Sequence, residues 1–164
     1  MVDITAIRIG TAVAGGGPSC DCRLGSELAS SEGLRLREAA LPGAVRSLRR
    51  SFRRWAAASG ADEDTVDAMV LLTDEAVTNV VEHAAREQPC TVELLAGARG
   101  CSDGLTVTVQ DDGRWRPPPE DPGYRGRGTT LIARLADRST ITTSPHGTTV
   151  RMCWSTRRPG ADAA

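Results

Sequence analysis

The segment from Leu71 to Ala84, LLTDEAVTNVVEHA, contains a carboxylate and a carboxamide four residues apart, at Glu75 and Asn79. Apolar or small side chains recur at three- and four-residue spacing through this segment and just before it, which predicts an amphipathic helix. The predicted buried positions are Val66, Met69, Val70, Thr73, Val77, Val80, Val81 and Ala84. Glu75, Asn79 and Glu82 then share the stripe that faces away from the core, with neighbours roughly 5–6 Å apart.

The two side chains suit phosphate and metal chemistry. A carboxylate can accept the proton of an attacking hydroxyl or water, which makes Glu75 a candidate general base. A carboxamide oxygen is a hard ligand of the kind that Mg²⁺ prefers, which makes Asn79 a candidate metal ligand. An ordinary solvated helix face is the alternative that this helix alone favours. Asp74 is rotated about 100° from Glu75 and is interpreted as a surface charge.

Further motifs follow downstream. LTVTVQDDGRW, residues 105–115, alternates as a strand does and then runs into Asp111 and Gly113. YRGRGTTLIARLAD, residues 124–137, begins with closely spaced glycines and continues as a helix, and backbone amides at a helix start can approach phosphates. The chain closes with a strand that begins at Gly147 and Thr148. Alone, each motif has an ordinary structural explanation as a turn, a Gly-rich loop or a β-propensity residue.

Together and in this order, the motifs resemble the ATP-binding domain of gyrase, heat-shock chaperones, histidine kinases and mismatch-repair proteins. The four motifs are the E-x-x-x-N helix, the D-x-G strand end, the Gly-rich helix start and the final G-T strand. Within that superfamily, about residues 34–155 are similar to the bacterial anti-sigma-factor serine/threonine kinases. The resemblance implies ATP and Mg²⁺ as cofactors. It also implies Glu75 as the general base and Asn79 as the Mg²⁺ ligand, with His83 in the last part of the same helix motif.

The other motifs imply the rest of a nucleotide site. By the resemblance, Asp111 accepts a hydrogen bond from the adenine amino group, and Gly113 lets the base approach the backbone. The implied phosphate-binding residues are Gly126, Gly128, Thr148 and one of Arg125 and Arg127, between which the register stays open. Two positions depart from the family pattern. Trp115 replaces the usual second glycine, and Thr129 stands where a larger apolar residue is usual.

The order of segments predicts one domain at residues 34–155, with a flexible N-terminal arm at 1–33 and a flexible tail at 156–164. Strands are predicted at 34–39, near 90–97, at 105–110, near 138–143 and near 148–154. Helices are predicted at Pro42–Ala58, from about Asp62 to Pro89, and near 128–137. Helices that cover one face of a mixed, mainly antiparallel sheet make this an α+β fold, a two-layer sandwich.

Composition excludes several classes of protein. The chain has 20 Arg, no Lys and 21 acidic residues, so a net charge of -1 does not indicate a polyanion-binding protein. No apolar run approaches the roughly 20 residues of a membrane span, and no signal peptide is apparent, so a cytoplasmic location without membrane contact is expected. Five cysteines, an odd number without secretory features, predict reduced thiols. Cys20 and Cys22 offer only two of the four ligands that a structural zinc site needs.

The helix predicted at Pro42–Ala58 is strongly basic. Its arginines are Arg46, Arg49, Arg50, Arg53 and Arg54. A solvated outer face is the first interpretation, and a surface for an acidic protein partner is the second. DNA or RNA binding comes last, because few aromatic residues and no nucleic-acid motif accompany the arginines.

The leading hypothesis is an ATP- and Mg²⁺-dependent serine/threonine protein kinase of the anti-sigma type. The resemblance, and not the residues, implies its partners, which are a small anti-anti-sigma protein and a sigma factor that the kinase sequesters. Whether two copies form a homodimer stays open. The alternative is a non-catalytic ATP-binding regulator that acts by partner exchange. The catalytic part of a histidine kinase is a third hypothesis, but neither His83 nor His146 lies in a dimerisation helix pattern.

Overall fold

A computed structural model of the chain describes residues 6–7, 33–85, 88–98, 104–114 and 127–155. These residues form two layers, an antiparallel sheet and the helices that cover one of its faces. The elements are β1 (Ala6–Ile7), β2 (Leu34–Ala39), α1 (Pro42–Ala58), α2 (Glu63–Asn79) with a π-helical turn directly after it (Val80–Ala84), β3 (Thr91–Ala98), β4 (Gly104–Asp111), α3 (Arg127–Leu135), β5 (Arg138–Ser144) and β6 (Gly147–Ser155).

The sheet has the strand order β1-β5-β6-β4-β3-β2. The α+β sandwich that the sequence predicts is therefore confirmed. The sheet was predicted as mixed and mainly antiparallel, and every pairing among the described strands is antiparallel. β1 was not predicted. Two residues of the predicted N-terminal arm form this strand and pair with β5 at the sheet edge. The rest of 1–32 and the tail 156–164 lie outside the described residues, so their flexibility stays a prediction.

The core lies between the sheet and the helices. Val92 and Leu94 on β3 and Val107 and Val109 on β4 are almost completely buried, and they alternate with residues on the opposite sheet face. Phe52 of α1 is fully buried in the same core. Burying a side chain of this size contributes about 1.5–3 kcal/mol, so these contacts hold the helices on the sheet.

The buried face of α2 is wider than the sequence predicts. Of the predicted positions, Val81 is partly buried and the others are buried. Leu72 and Ala76 are buried as well. The reason is that α2 contacts α1, α3 and β4, so it is covered on more than one side. Among the described residues, no helix is both long and apolar enough to cross a bilayer.

Local signals set the ends of the first two helices. Pro42 occupies the first turn of α1, where its missing N–H is harmless. Gly60, just after that helix, has a φ of +82°, which favours glycine. Asp62 caps α2, because its Oδ1 accepts a hydrogen bond from the Thr65 backbone N–H at 2.8 Å and its Oδ2 accepts one from the Thr65 hydroxyl at 2.9 Å.

The cap gives a direct test of helix stability. We expect Asp62→Ala to lower the free energy of unfolding by about 0.5–2 kcal/mol, since a first-turn N–H loses its partner. Asp62→Asn keeps the capping oxygen and is expected to lose much less. Urea denaturation of the two variants and the wild type measures the difference. An equal loss in both variants would mean that the negative charge, and not the cap, stabilises α2.

Candidate functional site

The candidate site residues converge at one end of the sheet. Gln110 pairs with Thr149, so Asp111 at the end of β4 lies beside Thr148 near the start of β6. Trp154 lies towards the other end of β6, and its indole N–H donates a hydrogen bond to the Leu135 carbonyl oxygen at 3.0 Å. This contact fixes the C-terminus of α3 at the far end.

Asp111 carries a half-buried carboxyl group surrounded by donors. Its Oδ1 accepts a hydrogen bond from the Gly113 backbone N–H at 2.9 Å, and Thr148 donates from both its backbone N–H and its hydroxyl. Burial raises the pKa of Asp111 and the charge of Asp112 adds to the increase, while the hydrogen bonds from Gly113 and Thr148 oppose it. A carboxylate has about four lone-pair sites, so these donors leave room for one from a ligand.

Gly113 brings the D-x-G turn against the helix that carries Glu75 and Asn79. A Cβ atom added at Gly113 would lie 2.7 Å from the Ala84 Cβ and 2.8 Å from the Ala84 carbonyl oxygen. Both distances are too short for any side chain. The family resemblance implies that Gly113 lets the base approach the backbone, and the contact with Ala84 adds a structural role that the sequence did not predict. The His83-Ala84 end of the helix motif was the available signal.

A second glycine brings β6 against the same turn. Gly147 has a φ of +135°, and an added Cβ would overlap the Asp111 carbonyl oxygen. Gly147 therefore satisfies two requirements at once, a backbone conformation that other residues rarely adopt and a contact that leaves no space. The turn that contains Asp111 is held between Ala84 on one side and Gly147 on the other.

Glu75 and Asn79 lie on the last turns of α2, and both are partly exposed. Neither side chain has a hydrogen-bond partner within the described ranges, so both are available to a ligand. After Asn79 the helix continues as the π-helical turn, in which Glu82 and His83 are exposed. π-Helical turns are rare and occur frequently at functional sites. The α-helical spacing that placed Glu82 on the stripe with Glu75 therefore ends at Asn79.

The phosphate end of the predicted site is only partly described. Arg125 and Gly126, like Trp115, lie outside the described residues. The backbones of Arg127 and Gly128 form the first turn of α3. The first N–H groups of a helix have no partner within it and favour anions, so a place in the first turn of a helix is compatible with the implied role of Gly128.

The other two acidic residues of these motifs have structural partners. Asp112, interpreted as a turn residue, accepts a hydrogen bond from the Thr91 backbone N–H at 2.6 Å and anchors the start of β3. Asp74 is paired with Arg49 of α1 and its side chain is 17% exposed, so its interpretation as a plain surface charge was incomplete. Within the described residues, no three acidic, His or Cys side chains cluster as metal ligands.

The chain matches a known domain family and is similar to three solved structures. The histidine kinase-like ATPase domain family matches residues 39–154. Among solved structures, the chain resembles the RsbU and RsbW domains of Rv1364c from Mycobacterium tuberculosis, with a TM-score of 0.62 and 24% identity over 80% of this chain and 34% of that one. It also resembles the histidine kinase domain of the blue-light activated histidine kinase from Erythrobacter litoralis EL346, with a TM-score of 0.51 and 24% identity over 66% of this chain and 65% of that one.

A second structure of the Erythrobacter litoralis kinase gives a TM-score of 0.50 and 26% identity over 58% of this chain and 32% of that one. The chain thus spans between about a third and two thirds of the length of these proteins. At these identities the structures support the fold, while the family match covers most of the sequence. The chain belongs to the histidine kinase-like ATPase domain family.

Proposed function

We propose that this chain is an ATP- and Mg²⁺-dependent serine/threonine protein kinase of the anti-sigma type. In this proposal it phosphorylates an anti-anti-sigma protein and sequesters a sigma factor. The observation that carries the proposal is the convergence at one sheet end of Asp111, Thr148 and the helix with Glu75 and Asn79. Membership of the ATPase domain family supports the nucleotide, and the order of motifs supports the kinase branch.

Asp111 fits the recognition of an adenine base. Its half-buried carboxylate keeps an acceptor site for a donor such as the exocyclic amino group, and guanine offers no amino group at that position. In this proposal Thr148 has a different role from the phosphate contact that the sequence suggested. Because Thr148 donates hydrogen bonds to Asp111, it belongs to the base end of the site. There it orients the carboxylate and keeps its ionised form available.

Asn79 and Glu75 fit the phosphate end. The Asn79 carboxamide would hold Mg²⁺, which commonly uses one or two protein groups together with substrate phosphates. When bound, Mg²⁺ would neutralise part of the negative charge of the phosphates. Glu75 lies one helical turn earlier, where its carboxylate would accept the proton of the attacking serine or threonine hydroxyl. The amides of Gly126 and Gly128, with Arg125 or Arg127, would contact the phosphates.

The alternative function keeps ATP as a ligand and regulates by partner exchange, without phosphoryl transfer. Both the candidate base and the candidate metal ligand are present and have no competing partner among the described residues, which favours catalysis. The histidine kinase alternative has less support. His83 and His146 are exposed in a π-helical turn and a β-turn, and neither lies on a helix pair that could present a phospho-acceptor.

Nucleotide binding is the first prediction. At a ligand concentration about 100 times the dissociation constant, ATP with Mg²⁺ is expected to add about 2.7 kcal/mol of stability. For a domain of this size, that corresponds to a rise in Tm of about 5–10 °C. Thermal denaturation with ATP, with GTP and without nucleotide measures the effect. Folded protein whose Tm stays unchanged, or equal shifts with ATP and GTP, would contradict the adenine site.

The second prediction separates the base from the metal ligand. Glu75→Gln is expected to keep ATP affinity within about threefold but to slow phosphoryl transfer by about 10²–10⁴-fold, since only the proton acceptor is lost. Asn79→Ala is expected to weaken the Mg²⁺-dependent part of ATP binding. Glu82→Gln, on the exposed π-helical turn, is the matched control and should change neither. Single-turnover transfer from labelled ATP to a verified partner measures the rate, and a wild-type rate in Glu75→Gln would exclude the base assignment.

The third prediction uses the pKa of Asp111. Burial raises its folded pKa above the unfolded value of 3.8, so the folded state keeps the proton to higher pH. The free energy of unfolding of the unliganded wild type therefore decreases as the pH rises from the unfolded pKa through the folded pKa of Asp111. At neutral pH the ionised Asp111 side chain destabilises the folded state. Asp111→Asn removes this effect, so relative to wild type it should be more stable at neutral pH and not in acid.

The same variant should bind ATP more weakly by about 10–100-fold at neutral pH, because a hydrogen bond to a charged acceptor contributes about 1.5–3 kcal/mol. Urea denaturation across pH measures the stability, and isothermal titration measures the affinity. Wild-type affinity in Asp111→Asn would remove Asp111 from base recognition. A destabilised variant at every pH would show that its hydrogen bonds outweigh the cost of burial.

A further inference from the structure

The outward face of α1 carries a row of exposed arginines that we call the basic stripe: Arg46, Arg50 and Arg54. They follow one another at four-residue spacing, which places them roughly 6 Å apart along the helix axis. No described residue forms an ion pair with them. Together with Arg49, Arg53 and Ala57 they line a shallow groove of about 430 Å³.

The other two arginines of this face are already neutralised. Arg49 pairs with Asp74, and Arg53 pairs with Asp67 at 3.2 Å, so both hold α1 against α2. The structural need for arginine on α1 is met by these two pairs. The basic stripe lies on the solvent side of them and needs a different explanation.

The basic stripe also has a cost for the free protein. Like charges four residues apart destabilise a helix, and the stripe contains two such pairs in sequence. α1 contains no acidic residue that would relieve this repulsion. A bound anionic surface would relieve it, so the stripe has the property expected of a docking surface for negative charge.

An exposed leucine borders the same surface. Leu71 of α2 is 48% exposed, and it lies four residues after Asp67 and three before Asp74, on the helix face that meets α1. An apolar side chain beside arginines is typical of the centre of a protein interface. The surface therefore favours a protein partner.

We propose that the basic stripe and Leu71 form a docking surface for an acidic amphipathic helix of a partner protein. Carboxylates at four-residue spacing on that helix would match the arginines, and an apolar side chain on its neighbouring stripe would cover Leu71. The surface includes none of the nucleotide-site residues. It does not depend on ATP or on the proposed kinase activity, so it is tested separately.

The test uses the full chain and a synthetic helical peptide with glutamates at four-residue spacing and leucines on the adjacent stripe. Fluorescence anisotropy of the labelled peptide measures binding. Replacing both Arg50 and Arg54 by Glu is expected to weaken binding at least tenfold. The matched control replaces Arg134 and Arg138 by Glu, which are also exposed and give the same change in net charge. The control is expected to bind within about twofold of wild type.

Two further arms test the details. Leu71→Ala should weaken binding several-fold, whereas Leu135→Ala, which removes another exposed leucine, should not. A peptide with lysines in place of the glutamates should bind the Arg50→Glu, Arg54→Glu protein better than it binds the wild type. Circular dichroism confirms that each variant is folded.

Several outcomes would overturn the proposal. Absence of peptide binding to the wild type, or equal losses in the arginine variant and its control, would show no specific surface. An unchanged affinity in Leu71→Ala would remove the apolar anchor and leave only general attraction for anions. A duplex oligonucleotide that binds as tightly as the peptide, and competes with it, would assign the surface to nucleic acid instead.

Discussion

Two contacts at glycines hold the candidate site together. Gly113 lies against Ala84 of the π-helical turn, and Gly147 lies against the Asp111 carbonyl oxygen, both at distances that leave no space for a Cβ atom. Through them the end of α2, the end of β4 and the start of β6 meet as backbone on backbone. No rotamer change can adjust such contacts, so they fix the relative positions of the side chains that the three segments carry. A larger residue at either glycine would separate the segments.

The electrostatics of Asp111 depend on this close packing. The contacts that hold the turn also partly bury its carboxyl group, and burial disfavours the charged form. Donors from Gly113 and Thr148 oppose that effect, and they are present because the turn folds back on itself and β6 lies alongside. The result is a carboxyl group with a raised pKa and a remaining acceptor site, which is the combination found at many ligand sites. Such a group reduces the stability of the free protein, and a ligand that donates to it recovers the loss.

Local sequence signals were sufficient to predict most of the elements. α1 has the predicted bounds because Pro42 and Gly60 mark its ends, and α2 begins where Asp62 supplies a cap. The strands follow from the alternation of apolar residues in β3 and β4. These features depend only on neighbours in the chain, which is why one sequence was enough to find them.

Features that depend on distant neighbours were missed. The pairing of Asp74 with Arg49 requires the crossing of α1 and α2, and the contact of Gly113 with Ala84 requires the end of β4 to meet the π-helical turn. Neither can be found from periodicity. The π-helical turn itself was predicted as regular helix, because the spacing of apolar residues does not distinguish the two. The hydrogen bonds from Thr148 to Asp111 have the same origin, since only the strand register places the two residues side by side.

α2 connects the two surfaces that we assign to ligands. Asp67 and Asp74 pair with arginines of α1, and Leu71 lies one helical turn before Glu75, so the side chains of Leu71 and Glu75 are neighbours on the helix surface. The helix is buried along its core side and capped at its start, so it is held rigidly between the two surfaces. A partner helix seated on Leu71 would therefore lie next to the candidate base, one helical turn away along α2. If the proposed partner carries the phospho-acceptor on a segment next to this helix, that segment would need to span only a short distance to the proposed nucleotide site, so a docking surface outside the site would also serve the proposed reaction.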